Sequence, residues 1–211
     1  MVKKNACIFI SGKGSNLKNL IKKTRDYNFP INIKLVISNN KNAQGINYAK
    51  INSIPFLIIN TKKRGFENLI LEIIKKNKIS LICLAGYMKI LPDDIVGKYV
   101  GKIINIHPSL LPKYPGLNTY EKVLKNNDLY HGVTIHYVDT TLDGGPIILQ
   151  GKFKIRKNLS IKELEDLTHK VEHKIYPIVV KWIADDLISV KNNIIQFNDK
   201  NIYSPITYLV D

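Results

Sequence analysis

The chain has little of several things that would place it in a specialised class. Its 211 residues include only two cysteines, Cys7 and Cys83, each inside an apolar run. That is too few for a disulfide framework, and a thiol in such a run behaves as a small hydrophobe. No apolar stretch is long enough to span a bilayer. "MVKKNACIFI" lacks the length and cleavage site of a secretory signal, so a cytoplasmic protein is expected. No Pro/Gly/Ser-rich linker and no internal repeat divides the chain, which is long enough for one buried core. G-x-x-x-x-G-K-[ST] is missing, which argues against a P-loop NTPase. H-E-x-x-H and C-x-x-C are missing too, and His131, His136, His169 and His173 have no evident carboxylate ligand set, so no metal is expected. His136, on the same strand face as Thr134, reads as a satisfied core residue. Acidic residues are scarce, 17 against 32 Lys+Arg, giving a net charge of +15. Nucleic acid would suit that balance, but the lysines are scattered in pairs such as Lys22-Lys23 and Lys75-Lys76 rather than gathered with aromatics. A solvated basic surface that draws in small anions is the better reading.

What is present is an alternation of short apolar runs and helical patterns. Ala6 to Ile10, Ile31 to Ile37, Phe56 to Ile59 and Leu81 to Ala85 read as buried strands. Asn16 to Arg25, Gln44 to Ile51 and Phe66 to Lys76 read as helices between them, and "LPDDIVGKYV" as a short helix entered through Pro92. This predicts an α/β fold: a Rossmann-like, open, mostly parallel twisted sheet with helices on both faces. After Ile103 to Ile106 the rhythm changes. His131 to Tyr137 and Ile147 to Ile155, joined by "VDTTLDGGP", predict an antiparallel C-terminal part. Ser160 and Glu163 form a capping box before a long helix carrying Leu164, Leu167, Val171, Ile175, Val179 and Trp182, and a hairpin around Asn192-Asn193 closes the chain.

Three segments could carry chemistry. "ISGKGSNL" follows the first strand and opens the first helix, where N–H groups and the helix dipole attract an anion and Gly12 and Gly14 permit close approach. Leu17 stands where a dinucleotide fingerprint has its third glycine, and no acidic residue follows at the ribose position, so a single phosphate ester is the better ligand. In "NIHPSLLPKYPGL", Pro108, Pro112 and Pro115 impose a rigid loop after a strand end that presents Asn105 and His107 on one face. An amide donor and an imidazole suit a carbonyl becoming an oxyanion, although a strand-end pair of this kind is more often structural unless it has a partner. Asp143 in "LDGGP" is either that partner, raising the His107 pKa, or an ordinary Asp-Gly turn.

With "LAGYMKIL", "HGVTIHYVDTTLDGGPIILQ" and "EHKIYP", these segments stand in the order and spacing of the phosphoribosylglycinamide formyltransferases. The chain resembles that branch of the folate-dependent formyl transferases from about Ala6 to Trp182. The resemblance implies the formyltransferase fold and transfer of a formyl group from 10-formyltetrahydrofolate to the amine of glycinamide ribonucleotide, in de novo purine biosynthesis. It implies that His107 is proton donor and electrophile, that Asn105 holds the oxyanion, and that Asp143 keeps His107 charged and relays protons through water. It further implies phosphate binding at Gly14, Ser15 and Asn16, and a glycinamide contact at Glu172. The implied folate site is Lys63, Met88, Lys89, Ile90, Leu91 and Asn105, with the backbone from Thr140 to Asp143. A pteridine needs an apolar slot with backbone groups at its edge, and "YMKIL" offers one.

Two positions depart from the family pattern. "TKKRGFEN" replaces a Ser-Arg-Glu segment near the folate tail, with Lys63 aligned to the arginine and Lys62 or Arg64 as alternatives. Lys89 also stands where arginine is common, exchanging a bidentate contact for a point charge. The expected organisation is one domain, 1–211, in which about 1–100 bind the phosphate and about 101–211 carry the catalytic and folate loops, as a monomer or homodimer. A methionyl-tRNA formyltransferase would need a further C-terminal domain, and a formyltetrahydrofolate deformylase an N-terminal one. A basic nucleic-acid-binding Rossmann-like module is the non-enzyme alternative.

Overall fold

The computed structural model describes residues 2–210. In chain order the elements are β1 (Lys4–Ile10), α1 (Ser15–Thr24), β2 (Ile31–Ser38), α2 (Gly45–Ile51), β3 (Phe56–Ile58), α3 (Phe66–Lys76), β4 (Leu81–Leu84), α4 (Asp93–Lys98) and β5 (Ile103–His107). Then follow α5 (Thr119–Lys125), β6 (Tyr130–Tyr137), β7 (Ile147–Lys154), α6 (Ile161–Ala184), β8 (Ile188–Lys191), β9 (Ile194–Phe197), β10 (Lys200–Ile202) and β11 (Ile206–Val210). Eight strands make one sheet in the order β11-β7-β6-β5-β4-β1-β2-β3, and β8, β9 and β10 make a small antiparallel one. In the large sheet only β6 runs against its neighbours.

Both faces of the sheet are covered, and the period of two along each strand divides the core. Ala6, Ile8 and Ile10 of β1 join the cluster under α1 and α6, whereas Cys7 and Phe9 join the one under α3 and α4. The cysteines are buried and unbridged. Strands buried on both faces explain why the apolar runs are continuous rather than alternating.

The long helix α6 begins as its capping box requires: the Glu163 N–H donates to Ser160 Oγ and the Ser160 N–H to Glu163 Oε2. It contains Pro177, which has no N–H for the carbonyl of His173 one turn earlier. Asn19 of α1 supplies the missing donor, its Nδ2 lying 2.7 Å from the His173 oxygen. The proline inside "EHKIYP" thus ties α6 to α1. No helix among the described residues is long and apolar enough to cross a membrane.

Two parts of the chain go beyond the sequence reading. Seven residues after Asn118 form α5, too short to show a helical period, and the closing hairpin continues into β10 and β11. β11 pairs in parallel with β7, a partner that only the tertiary fold supplies.

The chain leaves β1 toward β2 and β3 on one side and returns through β4 on the other, so the crevice outside the carboxyl ends of β1 and β4 is a topological switch point. The two ends are joined there, as the Ser11 N–H donates to the Gly86 oxygen (3.1 Å) and the Met88 N–H to Ser11 Oγ (2.8 Å). Gly14, at φ 73°, packs on Gly45 at the start of α2. A Cβ on Gly14 would stand 2.5 Å from Gly45 Cα, whereas one on Gly12 would meet nothing within 4 Å. Gly14 is therefore needed for loop-to-helix packing as well as for any ligand. Gly14→Ala should lower stability by roughly 2–4 kcal/mol, combining overpacking with left-handed strain, and Gly12→Ala by less than about 1 kcal/mol. Urea unfolding of the two variants checks this, and equal effects would contradict it.

Candidate active site

Ile104 and Ile106 enter the core under α6, so Asn105 and His107 project from the opposite face of β5. Across the antiparallel ladder His136 lies opposite Asn105 and Thr134 opposite His107. Two loops close over this face, 108–118 and 138–146. The first is pinned to the sheet by Thr134, which donates to the Ser109 oxygen (2.7 Å) and accepts from the Leu111 N–H (3.0 Å), and by Gln150, which donates to the Leu111 oxygen (2.7 Å).

The second loop delivers Asp143, at φ 50°, between the two strand residues. Its Oδ2 accepts from the Gly116 N–H (2.8 Å) and stands 3.3 Å from His107 Nδ1, and its Oδ1 accepts from Asn105 Nδ2 (3.3 Å). Burial raises the Asp143 pKa, but His136, the Gly116 N–H and His107 together hold it below the usual carboxylate value, so Asp143 is ionised at neutral pH. Asp143 is the partner rather than a plain turn residue.

The ring nitrogens can be assigned from their acceptors. His136 Nδ1 lies 2.8 Å from the Tyr137 carbonyl and must carry hydrogen, which leaves Nε2 of the neutral ring to accept from Asn105 Nδ2 at 3.2 Å. His136 is therefore part of the site and not a core residue as expected. His107 Nε2 lies 2.8 Å from the Tyr114 carbonyl and donates to it. Burial is the largest influence on His107 and lowers its pKa below 6.5, with Asp143 and the Tyr114 carbonyl acting against it. The expectation that Asp143 raises this pKa is right for the pairwise effect and wrong for the sum, because desolvation outweighs the carboxylate.

On the other side of the switch point the first N–H groups of α1, from Ser15 onward, have no intrahelical acceptor. Asn16 Nδ2 donates to Glu172 Oε2 at 2.8 Å, while Asn16 Oδ1 is buried without a partner. Burial pushes the Glu172 carboxyl up to about 7, with Asn16 opposing. Of the expected folate residues, Leu91 is buried, Met88 (64%) and Ile90 (73%) are largely exposed, and Lys89 and Thr140 are exposed. Lys63 lies with Lys62 and Arg64 in an exposed turn before α3, and none of the three has an ion-pair partner among the described residues. No group of three or more metal-ligating side chains is found among the described residues.

The formyl transferase family model matches residues 4–180. The chain belongs to the formyl transferase family. It is 39% identical over 201 residues to a phosphoribosylglycinamide formyltransferase of Haemophilus influenzae, a match covering 93% of this chain and 95% of that protein. It superposes on a phosphoribosylglycinamide formyltransferase of Coxiella burnetii with a TM-score of 0.92 at 36% identity, covering 98% of this chain and 99% of that one. A formyltetrahydrofolate deformylase of Pseudomonas syringae shares the fold at TM-score 0.86 and 25% identity, but there the match covers 66% of the neighbour.

This formyl transferase uses groups that the sequence reading missed: His136, the Tyr114 carbonyl, the Gly116 N–H and Ser11. His136 becomes visible only once the β5–β6 register is known, and backbone groups leave no mark in residue identity. The buried Glu172 makes stability depend on pH. Its pKa is raised on folding, from 4.5 to about 7. The stability permitted by the protonated form is complete below about pH 4.5 and lost as pH rises through about 7, amounting to about 3 kcal/mol. Glu172→Gln should remove this dependence and leave the variant more stable than the parent at pH 8. Urea unfolding at pH 5 and pH 8 measures it, and an unchanged difference between the two pH values would refute it.

Proposed function

We propose that this enzyme transfers the formyl group of 10-formyltetrahydrofolate to the amine of 5-phosphoribosylglycinamide, giving formylglycinamide ribonucleotide and tetrahydrofolate, in cytoplasmic de novo purine biosynthesis. The observation that carries the reading is the ionised Asp143 joined to both Asn105 and His107. An amine attacking a formyl carbon creates an oxyanion and an ammonium, so the site must supply donors for the first and an acceptor for the second. Asn105 and His107 are the donors, and Asp143 receives the ammonium proton through water. Both Asn105 N–H bonds and the His107 Nε2–H are engaged in the free protein. The carbonyl of Tyr114 then occupies the position of the substrate oxygen, and catalysis exchanges one oxygen for the other.

The exposed Met88 and Ile90 beside buried Leu91 provide an apolar slot for the pteridine, bounded by the backbone from Thr140 to Asp143. Lys63 and Lys89 meet the carboxylates of the folate tail as point charges. The free N–H groups at Gly14, Ser15 and Asn16 receive the phosphate, and Glu172 contacts the glycinamide. The deformylase reading puts water in place of the amine. Glu172 held by Asn16 beside an empty helix N-terminus favours the ribonucleotide, since water needs no such seat.

The decisive experiment incubates the purified protein with both substrates and detects formylated ribonucleotide by mass spectrometry. Tetrahydrofolate appearing without it would establish the deformylase. Asp143→Asn and His107→Ala should each lower turnover by roughly 10²–10⁴ with folding retained. Turnover within about tenfold of the parent would remove that residue from the proposed mechanism.

A further inference from the structure

Away from the Asn105, His107 and Asp143 group, unsatisfied polar atoms gather along one stripe of α6. Glu165, His169 and His173 recur every fourth residue and so share a face. That face meets the loop before α1: Lys13 Nζ lies 2.8 Å from Glu165 Oε1, Asn16 pairs with Glu172, and Asn19 binds the His173 carbonyl. The two imidazoles lie parallel, 7° apart in plane with centroids 6.3 Å apart. His173 Nε2 is buried with no partner, and so is Oδ1 of Asn16, itself only 6% exposed at the start of α1.

The charges around this pair are nearly all compensated. From the α1 side Lys13 and Lys18 face it, from α5 Tyr120, and from α6 itself Lys162, Glu165, Asp166 and Glu172. Glu165 is taken by Lys13, Asp166 by Lys162 at 2.6 Å, and Glu172 by Asn16. Burial, the leading cause, lowers the pKa of both histidines, with Lys13 adding to it at His169 and His169 and Lys18 at His173. Both rings are therefore largely neutral at pH 7. An incoming dianion would be the one uncompensated negative charge here, and its field favours the protonated ring.

We infer that His169 and His173 are positioning residues for the substrate's phosphomonoester, and that one proton enters this imidazole pair from solvent when the dianion seats at the start of α1. This rests on the ribonucleotide reading above and adds a linkage that the reading does not require. Calorimetric titration of 5-phosphoribosylglycinamide at pH 7, in two buffers of different ionisation enthalpy, should show uptake of between about 0.5 and 1 proton per ligand. His169→Gln should reduce the uptake and the double variant with His173→Gln abolish it. The double variant should raise KM for the ribonucleotide about tenfold with kcat little changed. The parent's KM should rise from about pH 6.5 to 8.5, and the double variant's should stay flat.

Buffer-independent heat in the parent, or undiminished uptake in the double variant, would overturn the inference. If the double variant unfolds, His169→Gln alone decides, because His169 makes no contact that holds Pro177 in its helix. If the ribonucleotide is bound and formylated with no proton uptake, only this inference fails. If it is neither bound nor formylated, the functional reading fails with it.

Discussion

One carboxylate holds the catalytic half of this molecule together. Asp143 accepts a backbone N–H from the loop that follows β5 and a side-chain amide from β5 itself, and lies beside the His107 ring. Two loops that share no strand are joined at that point. Burial of a carboxylate is costly unless its oxygens are satisfied, and here the hydrogen bonds and imidazoles outweigh desolvation so that the anion persists. The left-handed backbone at Asp143 is part of the same arrangement, because it turns the side chain back toward β5. An aspartate tolerates that conformation better than most residues.

The sheet explains why the two halves of the site fall on different elements. Asn105 and His107 leave β5 on one face, while the start of α1 and the Glu172 stripe belong to the cluster side of the other. The ends of β1 and β4 lie between them in the strand order and are stitched together by Ser11, so the open edge of the switch point connects the two. Neither half of the chain holds a complete seat: Met88 to Leu91 come from the first hundred residues and Glu172 from the second. The fixed relation between α1 and α6 matters for the same reason. Pro177 leaves a carbonyl that Asn19 must satisfy, and the amide that satisfies it lies one turn from Asn16.

The sequence was most legible where one side chain has one job. Continuous apolar runs marked the buried strands, and the capping box at Ser160 marked the start of α6. Alternation with Ile104 and Ile106 put Asn105 and His107 on one face. Legibility failed where the partner is distant in the chain or belongs to the backbone. Gly14 reads as a phosphate-loop glycine, yet its closest neighbour is Gly45. His136 reads as core because Thr134 and His136 alternate with buried residues, and only the pairing with Asn105 reveals its exchange with the amide. The sign of the His107 shift also depended on burial, which a pattern of residue types does not measure.

The loop "NIHPSLLPKYPGL" then has a physical account. Pro112 and Pro115 restrict the backbone on either side of Tyr114, which sits at φ 55°, a conformation costing about 1–2 kcal/mol for a residue with a side chain. The tyrosine hydroxyl donates to Asp128 Oδ2 (2.9 Å) and accepts from Asn126 Nδ2 (2.8 Å), which fixes its outer end, while its carbonyl satisfies the buried His107 Nε2–H. Without that carbonyl the imidazole would carry an unsatisfied donor, at a cost of about 1–3 kcal/mol. Exchanging the Tyr114 oxygen for a substrate oxygen conserves the hydrogen bond, so the change in energy is set by the local strain released and by the negative charge the new oxygen develops. The same donor is worth more against an oxyanion than against a carbonyl. A strained loop that caps His107 in the free protein thus favours the transition state over the resting one, and it does so without moving the Asp143 end of the ring.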